Sequence, residues 1–142
     1  MRDTFAPVLP KIMYSILILL LEDKIYGNST VKMSARFKII DIGHKGFSLD
    51  RALSELEIKV SEGIYKGDVR VLKIIHGHGT GALKSGVREW CQSQDGRFQA
   101  VIYGEDYDLF NRDSANMRAE CGSPYDPDLG KKNSAITYIW FW

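Results

Sequence analysis

Cysteine is scarce in this chain. Cys91 and Cys121 are the only two, they lack CxxC spacing, and Cys91 falls on a helix face expected to turn inward. A disulfide framework is therefore excluded and a reducing, cytoplasmic setting is expected. A long hydrophobic run is also missing. The most apolar stretch, residues 13–21, is too short to span a bilayer and runs straight into Glu22 and Asp23. No small-residue cleavage site follows it, so neither a secretory leader nor a membrane anchor is expected. Internal repeats are absent as well.

Excess charge of one sign is lacking overall, with a formal net charge of +1, but the layout is uneven. Residues 104–128 carry seven acids against Arg112 and Arg118, a balance of −5, which leaves +6 on the rest. That split allows a basic surface beside an acidic neighbour. At 142 residues with 44% hydrophobic content, the chain has room for one domain with a real core and some flanking sequence.

What is present is glycine at a telling place. The β-branched run over residues 69–75 reads as a buried strand and leads into Gly77-His78-Gly79-Thr80-Gly81, after which a helix runs to about Ser93. Glycines at alternate positions permit backbone dihedrals closed to other residues and allow close approach to the main chain. The free N–H groups and partial positive charge of the following helix N-terminus make this junction an anion site, with phosphate the obvious ligand. Leu83, Val87, Trp90 and Cys91 recur at helical spacing and are expected to face a core, while Lys84, Arg88 and Gln92 form a polar stripe. The Walker pattern fails, because Leu83 rather than glycine precedes Lys84-Ser85. The loose dinucleotide pattern G-x-G-x-x-A is met by Gly77, Gly79 and Ala82, though too few βα units accompany it and a ribose-binding acid would have to come from Glu105.

Around this turn the remaining elements fall into order. Residues 1–35, with Pro7 and Pro10, read as an N-terminal arm or linker remnant, and residues 36–142 as the domain. Residues 37–42 read as the first strand and Gly43-His44-Lys45-Gly46 as the turn that ends it. Ser48 is then an N-cap for a helix with an apolar stripe of Leu49, Ala52, Leu53, Leu56 and Val60, ending at Gly63 or Gly67. After the glycine turn and its helix, residues 98–103 form a third strand and residues 135–142 a last one. Between them lies a long acidic loop, residues 104–133, with Pro124, Pro127 and Gly130 and no expected strand. The fold class is α/β, a two-layer sandwich of β-α-β-α-β-β order with a mixed sheet and the helices on one face.

In that arrangement the turns after strands one and two leave neighbouring carboxyl ends, where α/β folds place ligands. Asp41 and His44 would face His76 and His78 across one rim. A carboxylate three residues from an imidazole can orient it, and histidine titrates close enough to neutrality for proton transfer. The plain alternative has Asp41 accepting turn N–H bonds and His44 as a surface residue. His76 and His78 with His44, Asp41 or an acid of the loop would also serve zinc or manganese, so a divalent metal is compatible while no cofactor is demanded.

These residues resemble the Smr (small MutS-related) domain family. Its pattern is a strand ending in D-[LI]-H-G, a helix of the form x-x-E-A-L, and a strand running into I-I-H-G-x-G-x-G-x-L-[RK]-x-x-V. Ile40-Asp41-Ile42-Gly43-His44-Lys45-Gly46 looks like the first motif, Leu49-Asp50-Arg51-Ala52-Leu53 like the helix, and the stretch from Ile74 through Val87 like the last and most specific. The resemblance covers roughly residues 37–103 and the final strand. It implies a fold like the C-terminal domain of translation initiation factor three, and DNA or RNA as partner. It also implies nicking or RNA-cleaving endonuclease activity, as several members show. Carried over by position, Asp41, His44 and His76 would be catalytic. Lys45, Gly77, His78, Gly79, Thr80, Gly81, Lys84 and Arg88 would hold nucleic acid. In three places the sequence departs from the pattern: Gly43 displaces His44 by one residue, His78 stands where lysine is common, and the acidic loop is longer than usual. The alternative is a noncatalytic nucleic-acid-binding module of a larger repair or ribosome-associated protein.

Overall fold

A computed structural model describes residues 36–142. The arm or linker expected over residues 1–35, with its apolar segment, lies outside the described residues. Within the domain, β1 (Phe37–Asp41) leads to α1 (Leu49–Lys66), β2 (Val71–Ile75), α2 (Ala82–Ser93) and β3 (Ala100–Tyr103). A 3-10 turn (Gly104–Asp106), α3 (Arg112–Glu120) and β4 (Ile136–Trp140) complete it.

Local chemistry sets the helix limits. The Ser48 side chain accepts the Arg51 N–H at 3.3 Å, the N-cap anticipated from the sequence, and α1 stops at Gly67 in the left-handed region. Gly63 does not end the helix; it is where α1 passes Phe141, and a Cβ there would come within 2.8 Å of that ring. Leu49, although in register with the apolar stripe, stays largely exposed at the first turn.

The four strands lie in the order β1-β2-β4-β3. β1 pairs parallel with β2, with Asp41 opposite Ile75, and β4 is antiparallel to both its neighbours. Alternation of side chains divides the core into two layers. On one face Leu72, Ile74 and Ile139 meet Ala52, Leu56 and Val60 of α1 and Val87 and Cys91 of α2. On the other, Val71, Ile102, Tyr138 and Trp140 meet Tyr107, Met117 and Cys121. The mixed sheet with α1 and α2 on one face is thus the expected α/β sandwich. The acidic region adds a cover on the far side, including α3, whose nine residues hold one large buried hydrophobe, Met117, and gave little periodic signal. Both cysteines are buried and unpaired.

That cover is tied down by charge. Lys73 projects from the middle of β2 into the second layer, where its ammonium meets Asp126 at 2.6 Å and also Asp128; the Lys73 and Asp126 side chains are 4% and 1% exposed. Tyr138 donates to the other Asp126 oxygen at 2.8 Å, and Tyr107 stacks on Tyr138 while accepting a hydrogen bond from Arg118 at 2.7 Å. Burial and the Asp126 carboxylate push the Tyr138 phenol far above its usual range, which keeps it a neutral donor. Two acids of the segment therefore serve as internal counter-ions, and none of the buried side-chain polar atoms among the described residues lacks a partner.

Replacing Lys73 by Met leaves Asp126 buried without its cation, so K73M is expected to lower the unfolding free energy by about 3–5 kcal/mol. The exposed K45M control should change it by less than about 0.5 kcal/mol. Urea titration of the two variants beside the wild type makes the comparison.

Candidate functional site

Parallel pairing of β1 and β2 sends two turns off the same end of the sheet. They touch: Ile42 and Gly43 both donate backbone N–H bonds to Ile75 O, at 3.0 and 3.1 Å. A Cβ on Gly43 would lie 2.6 Å from the His76 carbonyl carbon and oxygen, so only glycine fits between the turns. That contact gives Gly43, the residue that displaces His44, a physical reason to be there. The start of β4 holds the second turn from the other side, as Ala135 O accepts from His76 N and Gly77 N.

Between the turns lies a cavity of about 420 Å³. Gly43, His44, Phe47 and Leu49 border it from the first turn, and Gly77 to Leu83 with His76 from the second. Gly79 (φ 43°) and Gly81 (φ 86°) take the left-handed backbone that carries the chain round into α2. Gly81 offers no side-chain cap, and only the Thr80 hydroxyl approaches the first turn, 3.4 Å from Ala82 N. The helix thus opens toward the cavity with its N-terminal dipole and amides, the environment that favours an anion.

Asp41 and His44 form the pair anticipated from the sequence. Asp41 Oδ2 lies 2.8 Å from His44 Nδ1, while Oδ1 accepts the backbone N–H groups of Gly43 and His44 at 3.0 and 3.1 Å. Partial burial raises the Asp41 carboxyl, but these bonds outweigh it and hold its pKa below the ordinary value. Asp41 stays ionised and fixes the ring through Nδ1. Nε2 is left as the free nitrogen of a side chain 71% exposed at the cavity edge.

The other two imidazoles part company. His78 points outward, its Nδ1 3.4 Å from Ser134 Oγ. His76 is only 3% exposed, with Nδ1 3.1 Å from Gly77 O and Nε2 3.0 Å from Thr137 Oγ1. Instead of facing Asp41 and His44 across the rim, this ring is sealed inside with both nitrogens occupied. The pairing of His76 with His78 as metal ligands does not arise, and among the described residues no group of three or more His, Cys, Asp or Glu gathers to hold a metal.

The partners of His76 assign its tautomer. Gly77 O can only accept, so Nδ1 carries the proton; Nε2 then accepts from the Thr137 hydroxyl, whose oxygen accepts from Arg88 Nε at 3.4 Å. Burial, with help from the charges of Arg88 and Lys84, lowers the His76 pKa against the opposing pull of Gly77 O, which keeps the ring neutral. Arg88 in turn is committed elsewhere. Its guanidinium grips Glu105 through two bonds of 3.0 and 2.7 Å and stacks 4.0 Å from the Tyr103 ring centroid. Lys84 lies 3.6 Å from the same carboxylate. Hydrogen bonds from Arg88 hold Glu105 down at about 2 despite some burial. Lys84 and Arg88, expected to hold phosphate, thus share the single Glu105 carboxylate, Arg88 through two close bonds and Lys84 from 3.6 Å with its side chain 31% exposed. Lys45 is exposed beside the first turn, and Thr80 and Gly79 lie open at the second.

Four residues that shape the site were missed from sequence: Gly43, Phe47, Glu105 as a counter-ion, and Thr137. For Thr137 a signal existed, a hydroxyl in the otherwise apolar last strand. The relay it joins makes two measurable demands. T137V, which leaves Nε2 without its donor, should cost about 1–3 kcal/mol, and T137S should restore it; nitrogen NMR of the His76 ring should show the Nδ1–H form in the wild type and lose that definition only in T137V. Because the folded His76 value lies below the unfolded one, its stabilisation is complete above pH 6.5 and is lost as pH falls toward the folded value. Melting temperatures across that range should show the loss.

Comparison with known proteins adds the following. The Smr domain family model matches residues 44–105, which include His44, both sides of the cavity and Glu105. Among solved structures, the Smr domain of Thermus thermophilus MutS2 is similar, with 21% identity, a TM-score of 0.49, and coverage of 74% of this chain and 98% of that one. No curated protein matches the sequence. Among the described residues no helix is long and apolar enough to cross a membrane. The I-I-H-G-x-G-x-G stretch, folded here into the turn after β2, lies inside the segment that the Smr family model matches.

Proposed function

We propose that this chain is an Smr-type domain that grips the sugar-phosphate backbone of DNA or RNA in the cavity between its two turns and cleaves it as an endonuclease. The observation that carries this reading is the Asp41–His44 pair at the cavity edge. An ionised carboxylate holds one ring nitrogen at 2.8 Å and leaves the other free beside an uncapped helix N-terminus. A phosphate seated on the α2 amides would occupy the same cavity that His44 borders. His44 Nε2 takes the proton of the attacking hydroxyl, from water or a ribose 2′-OH; the new P–O bond forms as the bond to the leaving oxygen breaks, and that oxygen takes its proton from solvent. Backbone amides recognise phosphate and not bases, so weak sequence preference accompanies this mode.

His76 belongs to the same reading as a positioning residue. It sets the Gly77 carbonyl, and hence the turn, through its neutral ring, and has no nitrogen left for proton transfer. Because His44 is the single imidazole presented to the cavity with an acid behind it, a noncatalytic binding module is the second reading.

Supercoiled plasmid and labelled single-stranded RNA, each with and without chelator, separate the two. The wild type should nick or cut at least one, and H44A should be slower by about 100-fold or more, with D41N intermediate because the ring keeps its nitrogen but loses its orientation. A wild type that binds these substrates and cuts none of them removes the endonuclease and leaves the binding module.

A further inference from the structure

The basic residues nearest the cavity are not equivalent. On the α2 side, Arg88 and Lys84 share the Glu105 carboxylate, and the guanidinium is further held by Tyr103 and Thr137. A phosphate arriving there would have to displace the two-bond Arg88–Glu105 pair or compete with the Glu105 carboxylate for Lys84. On the opposite side the charges are available. Lys45 and Arg51 are exposed, and among the described residues no carboxylate lies within ion-pair distance of either. Both gather on Phe47, which borders the cavity: Arg51 Cζ is 4.7 Å and Lys45 Nζ 5.9 Å from its ring centroid. The ring holds two long side chains near one place without spending their charge, since a cation over an aromatic face keeps most of its field for other partners.

We infer that the nucleic-acid backbone leaves the cavity across the ledge formed by Lys45, Phe47 and Arg51, and not along the Lys84–Arg88 stripe of α2. This rests on the nucleic-acid reading proposed above and gives the strand a direction: from the α2 amides, past His44, toward the start of α1. The ledge supplies two phosphate contacts.

Salt dependence counts such contacts. Binding of a labelled DNA duplex and of a labelled single-stranded RNA, followed by fluorescence anisotropy over a salt series, gives the slope of log Kobs against log salt. K45M and R51M should each lower its magnitude by about 0.7–0.9, and the double variant by about twice that, while K84M leaves it at the wild-type value. Lys45 and Arg51 are tested singly as well as together, so a folding defect in one leaves the other to decide. Wild-type slopes in both single variants, or a drop in K84M of the size expected for the ledge, overturn the ledge while leaving nucleic-acid binding intact. A wild type that binds neither probe overturns the nucleic-acid reading and the ledge with it.

Discussion

Asp41 stands opposite Ile75 because β1 and β2 run parallel, and most of the site follows from that register. Parallel neighbours release their connections at the same end, so a turn carrying Asp and His and a turn rich in Gly emerge side by side. Ile75 O then receives two N–H bonds from the first turn, and Gly43 lies against the His76 carbonyl with no room for a Cβ. A shift of one residue in the pairing would reverse the faces of β1, taking Asp41 out of line with the helix N-terminus and Ile40 out of the core.

The acidic segment plays a structural part that its position between two strands conceals. Asp126 and Asp128 hold the buried Lys73 on one side of the sheet, and Glu105 holds Arg88 and Lys84 on the other side of the same chain segment. These acids are consumed inside the fold, which is why so acidic a stretch can lie beside an anion site. Their cost is that Arg88 is tied to Glu105 and Lys84 shares the same carboxylate. The gain is a fixed Arg88, which through Thr137 and His76 reaches the Gly77 carbonyl and steadies the turn.

Two histidines that look alike in the sequence end in opposite states. His44 follows a carboxylate across a tight turn, so a local bond of three residues' span orients it and leaves it wet. His76 ends a strand buried on both faces, and its ring goes where the sheet and α2 leave a polar gap, against a hydroxyl sixty-one residues away. Burial at that point favours the neutral ring, the state suited to positioning rather than to proton transfer.

What the sequence by itself determined was set by local chemistry. The Ser48 cap, the spacing of Ala52, Leu56 and Val60, the glycines that turn the chain into α2, and the three-residue span from Asp41 to His44 all depend on near neighbours, and each appears where the pattern put it. What only the tertiary structure decided were the long-range pairings. Glu105 on Arg88, Asp126 on Lys73 and Thr137 on His76 join residues far apart in the chain, and a charge or hydroxyl carries no mark of the partner that folding will bring to it. The short helix α3 belongs with these, since it is held by what Met117 and Arg118 meet across the sheet and not by any periodic pattern of its own.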